Sequence, residues 1–175
     1  MAVKIRQLRQ NIVHIWAFAR NDGVDDRTLS ILCTELLKGA LEEAITAHLP
    51  GITEGLRRKM FIEGSGCLGA FGHRIDMAEA LSVVSEDVAS DLRLLANIRD
   101  RFAHEFPVNK FDDTSVCGLV ANLKQPNAIR ATIWQARKPV GTPELEYAEE
   151  PIPNPRATYV VTATSLADAI FQRSV

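Results

Sequence analysis

Apolar residues return along most of the chain at steps of three and four, the period that gathers side chains on one face of an α-helix. From Val3 to Arg20 the repeat runs through Ile5, Leu8, Ile12, Ile15, Trp16 and Ala19, predicting a first helix that carries Lys4, Arg6, Arg9 and Arg20 without one acid. The run NDGVDD breaks the pattern. Asp25 or Asp26 then caps a second predicted helix to about His48, with Leu29, Leu32, Leu36, Leu37, Ala40 and Ile45 on its apolar face and Pro50-Gly51 ending it. A shorter helix is expected from Thr53 toward Met60. The glycine-rich stretch EGSGCLGAFG follows as a turn, and a helix then runs through Leu81 to Val84 with Phe71, Ile75 and Ala78 on its core side. Asp112 or Asp113 can cap another short helix through Leu123. Asn154-Pro155 reads as an N-cap with proline at the first helical position, opening a last helix with Val160, Ala163, Ala167, Ile170 and Phe171 on one side. Its β-branched run YVVTAT keeps a strand as the alternative.

The most amphipathic segment starts at Ser85, an N-cap followed by Glu86 and Asp87 where the positive end of the helix dipole favours acids. Val88, Leu92, Leu95, Arg99, Phe102 and Phe106 define a seam, and Arg99 interrupts it with a charge. A guanidinium on such a stripe must meet a carboxylate, reach solvent at a cleft, or face another chain. Asp100 and His104, four apart, share a neighbouring face, whereas Arg99 and His104 lie roughly 140° apart around an ideal helix. Pro107 disfavours helical geometry at Phe106, which places His104 in the last turn. The plainest reading makes Arg99 and Asp100 members of a structural ion pair and His104 a C-terminal capping residue.

Composition narrows the partners. A chain of 175 residues, 46% hydrophobic, is long enough for one domain with a core, and no internal repeat divides it. The exception is Gln125 to Pro155, a proline-rich, acidic excursion before the last helix, with Glu144, Glu146, Glu149 and Glu150. A formal net charge of −2 lacks the positive excess of a dedicated nucleic-acid binder. Cys33, Cys67 and Cys117 have neither metal-site nor disulfide-framework spacing, so no metal or cofactor is expected. The charged amino terminus does not read as a signal peptide and no apolar run is long enough to cross a bilayer, so the expectation is a cytoplasmic protein without membrane contact.

Two stretches resemble a known family. LLANIRDRFAHEF is similar to the R-x-x-x-x-H signature of the HEPN superfamily, with Arg99, Asp100 and His104 in the motif positions, and GSGCLGAFGHRIDMAEALSVVS resembles the turn and helix of the mannitol operon repressor family, itself HEPN-like. The resemblance implies an all-α, HEPN-like helical bundle, a homodimer, and transcriptional regulation. For HEPN ribonucleases it implies instead a metal-independent cut at a composite dimer site. There His104 would accept the 2′-hydroxyl proton, Arg99 would bind the phosphate and Asp100 would orient one of them. Arg101 and Arg93 would add RNA or partner contacts, and Arg74 and Asp76 would form a buried pair or bind a partner chain. A third reading is a non-catalytic dimeric interaction module.

Direct operator reading has little support in the residues. The nearest approach to a helix-turn-helix, AFARNDGVDDRTLSILCTELL, sets Asp25, Asp26 and Glu35 on its supposed recognition helix, where they would repel phosphates. Regulation is therefore expected through a protein partner or an RNA. EGSGCLGAFG lacks the G-K-[ST] ending of a P-loop, and Cys67 within it reads as a small packed residue rather than a nucleophile. His14 and His48 stand alone, and Trp16 and Trp134 read as packing residues.

Overall fold

Helix starts fall where the sequence supplies an acceptor for the first unpaired backbone N–H groups. The computed structural model of the protein describes residues 2–20, 23–62, 64–124 and 154–173; before position 10, only the Gln7 side chain is described. The predicted roles of Ile5, Leu8, Lys4, Arg6 and Arg9, and the stretch 125–153 with Trp134, lie outside the described residues. Among the described residues there are seven helices and no strand: α1 (Ala2–Ala19), α2 (Asp26–Ala47), α3 (Glu54–Phe61), α4 (Phe71–Ala80), α5 (Glu86–His104), α6 (Thr114–Ala121) and α7 (Pro155–Gln172). Asp25 caps α2 by accepting from the Thr28 N–H at 2.8 Å, and Thr53 caps α3 through Leu56 at 3.2 Å. Asn154 caps α7 through Ala157 at 2.6 Å, with Pro155 in the first turn. Ser85 holds the N-cap position of α5 but makes no side-chain capping bond.

YVVTAT lies inside α7. Tyr159, Val160, Ala163, Leu166, Ala167 and Ile170 are buried, and the buried Thr158, Thr162 and Thr164 donate their hydroxyls to the carbonyls of Asn154, Thr158 and Val160 at 3.1, 2.8 and 2.7 Å. Back-bonding of this kind lets a β-branched polar residue sit in a dry helix. Buried on several sides, α7 packs most extensively against α2 and also touches α1, α5 and α6. Beside it Phe102 meets Phe111 edge-on with centroids 4.9 Å apart, and Phe111 meets Tyr159 at 4.8 Å. Such aromatic packing adds to the burial of area itself.

Two predicted boundaries differ. α4 stops at Ala80 because Ser82 turns to φ 56°; the Ser82 and Val83 N–H groups then bond Glu79 and Ala78 at 2.9 and 2.8 Å, closing the helix end while Val83 enters the core. α5 stops at His104, since Glu105 is extended, and Phe106 stands 91% exposed rather than continuing the seam. The buried stripe of α5 is Ala89, Leu92, Leu95, Ile98 and Phe102, so Arg99 lies at its edge rather than inside it. Phe102 is fully buried in its own chain and offers nothing to a second copy. Phe71 is half-buried, while Ile75 and Ala78 are core residues as expected.

Candidate functional site

The floor of the candidate site is built by Arg74. Its guanidinium, 96% buried, donates to the carbonyls of Leu68, Lys38 and Phe61 at 2.7, 3.0 and 2.9 Å, approaches Glu42 Oε2 at 3.2 Å, and stacks over the Phe61 ring. One side chain thereby joins α2, the end of α3 and the glycine-rich turn. The turn itself needs Gly66, where a Cβ would press on the Lys59 carbonyl at 2.7 Å; its N–H bonds Ile62 O at 2.9 Å instead. Glu42 also takes Arg57 at 2.8 Å, and Arg57 reaches Glu43 at 2.5 Å. Nothing in the helical periodicity distinguishes Glu42 from an ordinary surface acid.

Above this floor a groove of about 560 Å³ runs between α2, the turn, the start of α4 and α5. Thr34, Lys38, Phe71, His73, Arg99 and Asp100 contribute side chains to its walls, and Gly64, Gly66, Gly69 and Gly72 leave stretches of bare backbone. Arg99 Nη1 donates to Asp100 Oδ1 at 2.9 Å, while Arg99 Nε is buried without a hydrogen-bond partner. Beneath lies Tyr159, whose hydroxyl donates toward Ser30 O and Leu95 O at 3.4 Å each. Burial raises its pKa above the ordinary phenol value, so it stays protonated. Burial likewise pushes the Cys33 thiol up to about 12, which makes it inert packing.

Of the predicted site residues, the fold brings Arg99 and Asp100 together at the groove and leaves His104 out of it. His104 is exposed in the last turn of α5, on a different face and about 7.5 Å further along the helix axis. Within one chain, a phosphate approaching Arg99 would compete with Asp100 and would not have the His104 imidazole opposite it. Arg101 reaches Asn97 at 3.4 Å and Glu105 at 3.6 Å. Arg93 bridges α5 to α4 through Asp76 at 2.7 Å and Glu79 at 2.6 Å, so Asp76 pairs with Arg93 and not with Arg74. His73 joins the groove wall, and Cys67, expected to be packed, is instead exposed in the turn. No group of three or more His, Cys, Asp or Glu residues suited to a metal occurs among the described residues. Nor is any described helix long and apolar enough to cross a membrane.

No family model and no curated protein matches the chain. Among solved structures, the fold is similar to a chain in the X-ray structure of the MtlR–HPr complex from Escherichia coli, with a TM-score of 0.63 over 94% of this chain and 98% of that one. The two are 18% identical, a likeness of fold.

Proposed function

We propose that this chain is a regulatory protein of the mannitol operon repressor type that works by binding another protein. The observation that carries the reading is the likeness, over nearly the whole of both chains, to a fold solved in complex with a protein, HPr. It is supported by what the groove does within one chain: Arg99 is paired with Asp100 and His104 lies outside the groove, so one chain alone does not gather the residues of the R-x-x-x-x-H motif at one point. Direct operator reading is opposed by the burial of Leu29, Leu36, Leu37 and Leu41 along α2, which leaves little of that helix free to enter a DNA groove, and by the acids Asp25 and Asp26 at its start. Titration calorimetry of the chain with purified E. coli HPr is expected to give saturable binding, while gel shifts against operator-like and scrambled DNA are expected to be equal and to fade with salt. Absence of HPr binding together with sequence-selective retardation of the operator would overturn the proposal.

A second reading, a metal-independent endoribonuclease assembled by a homodimer, is favoured by one observation: Arg99 keeps a third of its side chain exposed and His104 is open to solvent, so a second copy can approach both. RNA cleavage by the wild type that disappears in both Arg99→Ala and His104→Ala is the outcome this reading requires. Equal cutting by the variants rejects it.

A further inference from the structure

Helix α3 stands apart from the rest of the bundle in how it is held. Its inner side is anchored by Arg57 to Glu42 and Glu43, by the buried Phe61 whose carbonyl accepts from Arg74, and by the Leu68 N–H on Met60 O at 2.8 Å. Among the described residues its outer side has no such partners. Gly55, Arg58, Lys59 and Ile62 recur at steps of three and four and line an open groove of about 790 Å³, bounded by Glu42, Phe61 and Ser65. Leu56 is 48% and Ile62 56% exposed, so two aliphatic side chains stand on the solvent side of this short helix. Arg58 and Lys59 are exposed and form no ion pair among the described residues: Glu42 and Glu43 are engaged by Arg57 and Arg74, and Glu54, one turn before Arg58, is exposed but not within ion-pair distance of it. A Cβ on Gly55 would meet nothing within 4 Å, so packing within the chain does not explain the glycine.

We infer that the outer face of α3 is the docking surface for a protein partner whose own surface presents carboxylates around exposed aliphatic side chains. This rests on the reading that the chain acts through a protein partner, and it adds the place and the chemistry. The two unpaired cations supply charge complementarity, and the aliphatic pair supplies area to bury. RNA fits less well, since the patch has no exposed aromatic ring on which a base would stack. An anionic membrane fits less well too, since lipid-binding clusters carry roughly four to eight cations. The inner side of α3 is already tied to α2 by Arg57 and to Arg74 through the Phe61 carbonyl, which lowers the ordering cost of association.

The test is calorimetry of the full chain with purified E. coli HPr as the probe at 50 and 300 mM salt, using wild type, Arg58→Glu/Lys59→Glu, Leu56→Ser/Ile62→Ser, and Arg99→Ala as a control at the other groove. Thermal unfolding verifies that all four are folded. Expected are a loss of affinity of about tenfold or more for the charge reversal, a wild-type affinity that falls with salt, a loss of several-fold for the serine pair, and an Arg99→Ala variant equal to wild type. Wild-type affinity in both double variants overturns the α3 surface and leaves the partner reading standing. A wild type that does not bind HPr removes the partner reading and the inference with it. If single-stranded RNA or phosphatidylserine vesicles are bound instead, and that binding is lost on charge reversal, the face belongs to another class of partner and the inference is overturned.

Discussion

At the level of single residues, Arg74 decides more than Arg99. Its guanidinium serves three carbonyls and one carboxylate in a nearly dry site, and of these acceptors Glu42 is also held by Arg57. Arg74→Met keeps the stem and removes the donors, leaving Leu68, Lys38 and Phe61 carbonyls unpaired beside a half-buried Glu42. Breaking a buried charged pair on one side typically costs about 3–5 kcal/mol. We expect a loss of about 3 kcal/mol in urea unfolding for Arg74→Met, and a smaller one for Arg74→Lys, which keeps the charge but not the fork of donors. A loss below about 0.5 kcal/mol, the range of an ordinary surface substitution, would contradict the assigned role. The sequence marked Arg74 only through a family-like block and suggested Asp76 as a companion. Its real partners lie 6, 13, 32 and 36 positions away, three of them backbone atoms, and no periodicity reveals a backbone acceptor brought in by another helix.

At the level of elements, starts were legible and stops less so, for a physical reason. A start is written in a side chain: Asp25, Thr53 and Asn154 each accept a backbone N–H three residues on. Replacing Asp25 by Ala is expected to cost about 1 kcal/mol at neutral pH. The Thr28 backbone N–H, followed by the Thr28 hydroxyl, holds the Asp25 carboxyl below its ordinary pKa of 3.8. A pKa lowered by folding gives stability that is present above 3.8 and lost as pH falls through the lowered value. Denaturation curves of wild type and Asp25→Ala should therefore run apart at pH 7 and converge below pH 4; a gap independent of pH would mean that the cap is not what the substitution removed. The stop of α4 is written in backbone. Ser82 occupies the left-handed position that glycine usually fills, so the sequence reads as helix onward to Val84 while the chain has already turned. Ser82→Gly should raise stability by up to about 1 kcal/mol with unchanged helical signal, and a decrease would show that the Ser82 side chain has a role its geometry does not reveal.

At the level of the whole molecule, the all-helical class was legible because the described helices carry caps or apolar stripes in the expected places, α7 included, whereas the extent of α7's burial was not. The sequence showed one apolar side of this helix, Val160, Ala163, Ala167, Ile170 and Phe171, but its threonines and valines kept a strand as the alternative, and a helix buried on several sides shows only part of its buried surface as a stripe. Packed against α2, α1, α5 and α6, α7 places Tyr159, Val160, Leu166, Ile170 and Phe171 where the other helices would face water. Burying each such side chain contributes about 1.5–3 kcal/mol, so together they contribute about 10 kcal/mol. A domain of this size has a net stability of only about 5–15 kcal/mol. The last 22 residues therefore decide between a folded and an unfolded chain, even though neither the Arg99 groove nor α3 lies among them. A chain ending at Lys124 is expected to lose cooperative urea unfolding, to bind a hydrophobic dye, and to expose Cys33 to thiol reagents that do not reach it in the full chain, since Cys33 is buried on α2, the helix against which α7 packs most extensively. A truncated chain that still unfolds in one sharp transition with Cys33 protected would show that α1 to α6 close a core of their own, and that α7 covers the bundle rather than completes it.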